Sequence, residues 1–64
     1  MKYTDMDMLQ DYEKDARMAA LAYTLIQTEI FDPQLRAIMA KAGSEAAETQ
    51  HKAAGLILSR GDRP

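Results

Sequence analysis

Apolar residues recur along this chain at heptad spacing in two blocks. In the first block Leu9, Tyr12, Ala16, Ala19, Tyr23, Ile26 and Ile30 follow one another at steps of 3,4,3,4,3,4. In the second, Leu35, Met39, Ala42, Ala46, Thr49, Ala53 and Leu56 step 4,3,4,3,4,3. Each block is the a/d stripe of an amphipathic helix. Paired from the outside inward, the seven positions of one block and the seven of the other sum to 65 each time. That relation describes two antiparallel helices folded about a single reversal. The implied pairs alternate in size, Tyr12 against Ala53 and Tyr23 against Ala42, with Ala19 and Ala46 allowing close approach at mid-length. Such complementarity fills a seam without voids.

Punctuation between the blocks predicts the element ends. Thr4 is an N-cap, with Asp7 three residues on as a capping-box partner. No glycine or proline follows until Pro33, so helix one is expected over about 5–31. Asp32 then serves as N-cap and Pro33 as first residue of helix two, because proline bars its predecessor from helical geometry while fitting the first helical position. Helix two is expected over 33–59, with Gly61 as its C-terminal stop. Gly43 and Ser44 are its weak point, but the stripe keeps phase through Ala42 and Ala46, so continuity is the expectation. Asp62, Arg63 and Pro64 are expected to fray.

Length constrains what such a hairpin does alone. Sixty-four residues form one domain, 1–64, and a chain of this size buries only about 60% of its unfolded surface. Cysteine is absent, so disulfides and thiolate metal sites cannot supplement the core. Helix one carries a second apolar strip, Met18, Leu21, Ala22 and Leu25, turned away from the seam, and Ile38 and Ile57 flank helix two. A strip of this kind marks an interface. The expected architecture is therefore all-α, an antiparallel two-helix hairpin assembling as a homodimeric four-helix bundle through Met18, Leu21, Ala22 and Leu25.

The formal net charge is −2 with both signs dispersed, which argues against nucleic acid as a partner. No apolar stretch approaches the roughly 20 residues of a membrane span, and the opening Met1-Lys2-Tyr3-Thr4-Asp5 does not resemble a secretory signal. A soluble, cytoplasmic protein is the expectation.

One constellation has the spacing of metal chemistry. Glu48 and His51 form Glu-x-x-His, the spacing used by ferritin-like di-iron bundles, with Glu13, Asp15 or Glu29 as the helix-one carboxylate. On the 65 register, however, Glu48 and His51 fall on the outside of helix two, level with Arg17 and Lys14, and an ion pair of Glu48 with Arg17 accounts for the same residues. Glu29 and Glu45 beside the seam read as register-setting charges, and Tyr12, Tyr23 and the methionines as packing. No catalytic, cofactor or metal residue is assigned, and the chain is not expected to be an enzyme. Two alternatives stand beside the structural reading: a metal-binding ferritin-like dimer, and a small adaptor docking a partner's helix.

At whole-chain level the sequence resembles the Coat F domain family of spore coat proteins. The resemblance is carried by Asp7-Met8-Leu9-Gln10-Asp11, by Tyr23 and Glu29, by the turn Asp32-Pro33-Gln34-Leu35-Arg36, and by Ser59-Arg60-Gly61. It implies a ferritin-like two-helix unit that assembles with itself in or near the spore coat, without catalysis. The chain departs from the family pattern at Ala46-Ala47, where polar residues are common, and at Asp62-Arg63-Pro64, where aromatics are.

Overall fold

A computed structural model describes residues 2–64, leaving Met1 outside the described part of the expected domain. Two helices account for most of the chain: α1, Asp5–Gln27, and α2, Pro33–Ser59. They pack side by side as a hairpin of 46 × 23 × 13 Å. All of the described regular structure is helical.

Both helix starts form from the residues anticipated. Thr4 Oγ1 accepts from the Asp7 amide at 3.1 Å while the Thr4 amide donates to Asp7 Oδ2 at 2.9 Å, a reciprocal box that satisfies two otherwise orphaned donors. Asp32 Oδ1 accepts from the Gln34 amide at 2.9 Å, with Pro33 behind it. The end of α2 is a Schellman closure, in which the Asp62 amide donates to Ile57 O and the Gly61 amide to Leu58 O, both at 3.1 Å. Gly61 takes φ +83° there, the left-handed geometry that an L side chain resists. α2 runs unbroken through Gly43.

Three expectations need correction. Helix one stops at Gln27 rather than near residue 31. The amides of Thr28, Glu29 and Ile30 bond back only three residues, to Leu25, Ile26 and Gln27, and the Thr28 hydroxyl donates to Leu25 O at 2.7 Å. Residues 28–32 are needed to carry the chain across to the second helix axis, which is 8–10 Å away in ordinary helix packing. The Arg36 guanidinium closes that turn by donating to Ile30 O at 3.0 Å. At the other end of the chain the tail is held rather than frayed. Gln10 Nε2 donates to Arg63 O at 2.6 Å and to Asp62 Oδ2 at 3.3 Å.

The third correction concerns the seam. Tyr12 is 57% exposed and Leu56 47%, and Ile26 and Leu35 are likewise exposed, so four of the anticipated seam residues lie outside it. The residues buried between the helices are Glu13, Ala16, Gly43, Ala53 and Ile57. The anticipated stripe is kept in part, with Ala16 and Ala53 buried and Leu9, Ala19, Tyr23, Ile30, Met39, Ala42, Ala46 and Thr49 half-buried, but the seam is turned so that Glu13, Gly43 and Ile57 enter it, and the polar pair Glu13–Gln50 sums to 63. Two features favour this rotation. It places Gly43 against helix one, where a Cβ would lie 3.4 Å from Tyr23 Cβ and 3.9 Å from Ala20 O, so the backbones come close without a side chain between them. It also withdraws Ile57 from water completely, an effect of about 1.5–3 kcal/mol for a side chain of that size.

Candidate functional site

Glu13 lies at the centre of the seam and is fully buried, with 0% of its surface exposed. Burying a carboxylate is unfavourable unless donors replace the lost water. Here Oε2 accepts from Gln50 Nε2 at 2.6 Å, Arg17 Nη2 at 2.7 Å and Arg17 Nε at 3.1 Å. Arg17 sits one helical turn on from Glu13 and is half in water, so it neutralises the carboxylate without being entombed with it. The Gln50 amide is the main cause holding the Glu13 carboxyl below its ordinary range; Arg17 adds to it and burial opposes both. The second oxygen, Oε1, is buried without a hydrogen-bond partner. This cluster ties α1 to α2 by one charge-assisted bond, and its chemistry is that of a polar clamp.

The other residues weighed for chemistry stay apart from it. Asp15, Glu29, Glu45, Glu48 and His51 are exposed. Glu48 pairs with Lys52 at 3.3 Å, both of them on the surface, and not with Arg17, which is engaged by Glu13. Both pairs are one turn apart on a single helix, Glu13–Arg17 on α1 and Glu48–Lys52 on α2. Among the described residues no group of three or more His, Asp or Glu side chains converges.

Helix one's second apolar strip lies where the sequence places it. Met18 is 65% and Leu25 68% exposed, and Leu21 and Ala22 are exposed beside them. Against this, the apolar residues buried in the hairpin are Ala16, Ala53 and Ile57. More large apolar surface is turned outward than inward.

Comparison with protein-family models, curated proteins and solved structures gives no match to this chain.

Shallow clefts also mark the surface of the described residues. One, at the open end of the hairpin, is lined by Asp5, Met6, Leu9, Leu56 and Arg60. A second lies under the N-terminal residues, between Lys2, Tyr3, Asp7 and Lys14, where the Tyr3 hydroxyl donates to Asp11. That bond is the main cause raising the Tyr3 pKa. The third, by the turn, is lined by Thr24, Gln27, Thr28 and Arg36. No described helix is long and apolar enough to cross a membrane.

Sequence reasoning missed Glu13 as a seam residue because a charged residue next to a tyrosine at an a/d position reads as a solvated flank. The signal that identifies it is paired. Gln50 offers an amide at the facing level and Arg17 follows Glu13 at the i,i+4 spacing.

Proposed function

We propose that the chain is a structural, non-catalytic building block that self-associates through the strip Met18, Leu21, Ala22 and Leu25 into a helical bundle, and that its place is the spore coat. The observation that carries self-association is the imbalance just described: exposed Met18, Leu21 and Leu25 over a core of Ala16, Ala53 and Ile57. An apolar surface of that kind is stabilised by covering it. A homodimeric four-helix bundle of ferritin-like architecture is the simplest closed arrangement of two such hairpins. The coat assignment rests on the Coat F resemblance of Asp7-Met8-Leu9, of Asp32-Pro33-Gln34-Leu35-Arg36 and of Ser59-Arg60-Gly61.

The test is the destination of a fluorescently tagged copy in a sporulating culture of its own host. A shell of signal around the forespore is expected. Diffuse signal in vegetative cells with none at the spore removes the coat assignment. Self-association is tested apart from it, by sedimentation of the purified chain.

A further inference from the structure

Phe31 is 92% exposed, more than any other large apolar side chain of the described residues. A phenylalanine withdraws on the order of 150–250 Å² from water when it is covered, so a fold that leaves one bare forgoes a large contribution. The backbone that carries it is nevertheless braced. The Ile30 amide bonds back to Gln27 O at 3.3 Å, the Arg36 guanidinium donates to Ile30 O at 3.0 Å, and Asp32 caps α2 directly after the ring. Phe31 is a knob on a held turn at one end of the hairpin.

The other end carries a hole of matching kind. Of the clefts described above, the one at the open end is lined by Met6, Leu9 and Leu56, with exposed Asp5 and Arg60 beside them. It holds about 450 Å³, room for one aromatic ring. About 27 Å of α1 separates Leu9 from Gln27, where the turn begins, so Phe31 cannot reach the cleft of its own chain.

Charge points to the occupant. Among the described residues the ion pairs are Glu13–Arg17 and Glu48–Lys52, so Asp5 and Arg60 line one cleft without pairing. The turn brings the complementary set. Asp32 uses Oδ1 on the Gln34 amide and keeps Oδ2, while Arg36 uses Nε on the Ile30 carbonyl and keeps its two terminal nitrogens. A ring seated among Met6, Leu9 and Leu56 can set Asp32 against Arg60 and Arg36 against Asp5. Each side then supplies one acid and one base to the other.

We infer that Phe31 of one chain docks in the open-end cleft of a second copy, head to tail. The inference rests on the self-association reading for the identity of the partner, while the contact itself is separate from the strip of Met18 and Leu25. Knob and hole lie at opposite ends of the chain, so the contact is heterologous and each added copy presents a free end to the next. An isologous contact through the strip closes at the dimer; this one extends it. One ring with two exposed ion pairs is far smaller than a standard interface, so the isolated contact is weak, with a Kd of roughly millimolar order. It strengthens where the strip already holds copies together, because their ends then meet at high effective concentration.

Phe31→Trp gives the chain its only tryptophan and reads the contact directly. Emission of a water-exposed indole is expected in dilute solution, moving to the blue as the concentration nears the millimolar range. The same chain with Met6→Glu should keep the exposed emission throughout. An unshifted spectrum at every concentration overturns the proposal, and so does an equal shift in the Met6→Glu chain. Complementation then tests direction by sedimentation, with helicity followed by circular dichroism. In chains carrying Met18→Glu and Leu25→Glu to remove the strip contact, Phe31→Ser deletes the knob and Met6→Glu the hole. Each is expected to sediment as the 7.2 kDa monomer, and their mixture as a dimer and nothing longer. A mixture no larger than its parts overturns the head-to-tail contact, and wild-type dimers in that case leave the strip reading intact. A wild type that is monomeric throughout overturns the self-association reading as well.

Discussion

Gly43 faces Tyr23 of the other helix. A mid-helix glycine costs about 1 kcal/mol relative to alanine. A Cβ built there meets Tyr23 Cβ at 3.4 Å and Thr24 Oγ1 at 3.8 Å, which is ordinary contact. Gly43→Ala is therefore expected to stabilise the fold by up to about 1 kcal/mol in a denaturant titration. Gly43→Leu, with no room for the added carbons, is expected to lose about 1–3 kcal/mol through overpacking. Glu13 makes a pH prediction of definite sign. Its folded-state pKa is held below the ordinary value by Gln50 and Arg17. A group shifted that way contributes stability that is complete above its unfolded pKa, about 4.3, and is lost as pH falls through the folded value. Denaturation midpoints taken into acid should drop for the wild type and drop less for Glu13→Gln, which takes up no proton there. Asp7, lowered by its bonds to Thr4, keeps its own share of the acid loss in both proteins.

The elements owe their limits to a few polar contacts rather than to propensity. Asp32 caps α2 through the Gln34 amide, and its removal as Asp32→Ala is expected to cost about 1 kcal/mol in thermal or chemical unfolding. Gly61 is a different case, since nothing lies within 4 Å of a Cβ placed on it. Only its φ of +83° opposes substitution, so Gly61→Ala should cost about 1 kcal/mol with no repacking of Ile57. A loss several times larger would mean that the closure at Ile57 and Leu58 had come apart. The same logic explains where α1 ends. The amides that follow it, of Thr28, Glu29 and Ile30, donate tighter three-residue bonds because the chain must turn outward to reach Asp32 and Pro33.

For the whole molecule, stability and assembly are expected to be one quantity. A hairpin whose buried apolar residues are Ala16, Ala53 and Ile57 has little core of its own, and on the proposed self-association its further burial would come from a second copy. A partner that binds only the folded chain raises apparent stability by mass action. The melting temperature should therefore rise with protein concentration in the wild type. In the chain carrying Met18→Glu and Leu25→Glu it should be lower and independent of concentration. A wild-type melting temperature that does not move with concentration would count against assembly as the source of stability.

Much of the fold was legible from short-range chemistry. Thr4 with Asp7, Asp32 with Pro33, and Gly61 each specify a local backbone state through their own atoms, so both helix starts, the position of the break and the final stop follow from the sequence. The exposure of Met18, Leu21 and Leu25 was legible too, because three apolar residues on the far side of one stripe have no place in a two-helix seam. Most of the seam stripe was legible as well, with Ala16 and Ala53 buried in it, and tertiary structure alone decided how far the seam turned to take in Glu13, Gly43 and Ile57. Heptad periodicity sets two helices side by side but leaves their rotation open over neighbouring positions, and the choice depends on contacts formed only once the helices meet. Those contacts are the Gln50 amide on Glu13, the bare backbone of Gly43 beneath Tyr23, and the fit of Ile57 into the interior. Pairwise fits across a closed interface carry no period along the chain, and for that reason Tyr12 and Glu13, adjacent in sequence, exchanged the places that the pattern assigned them.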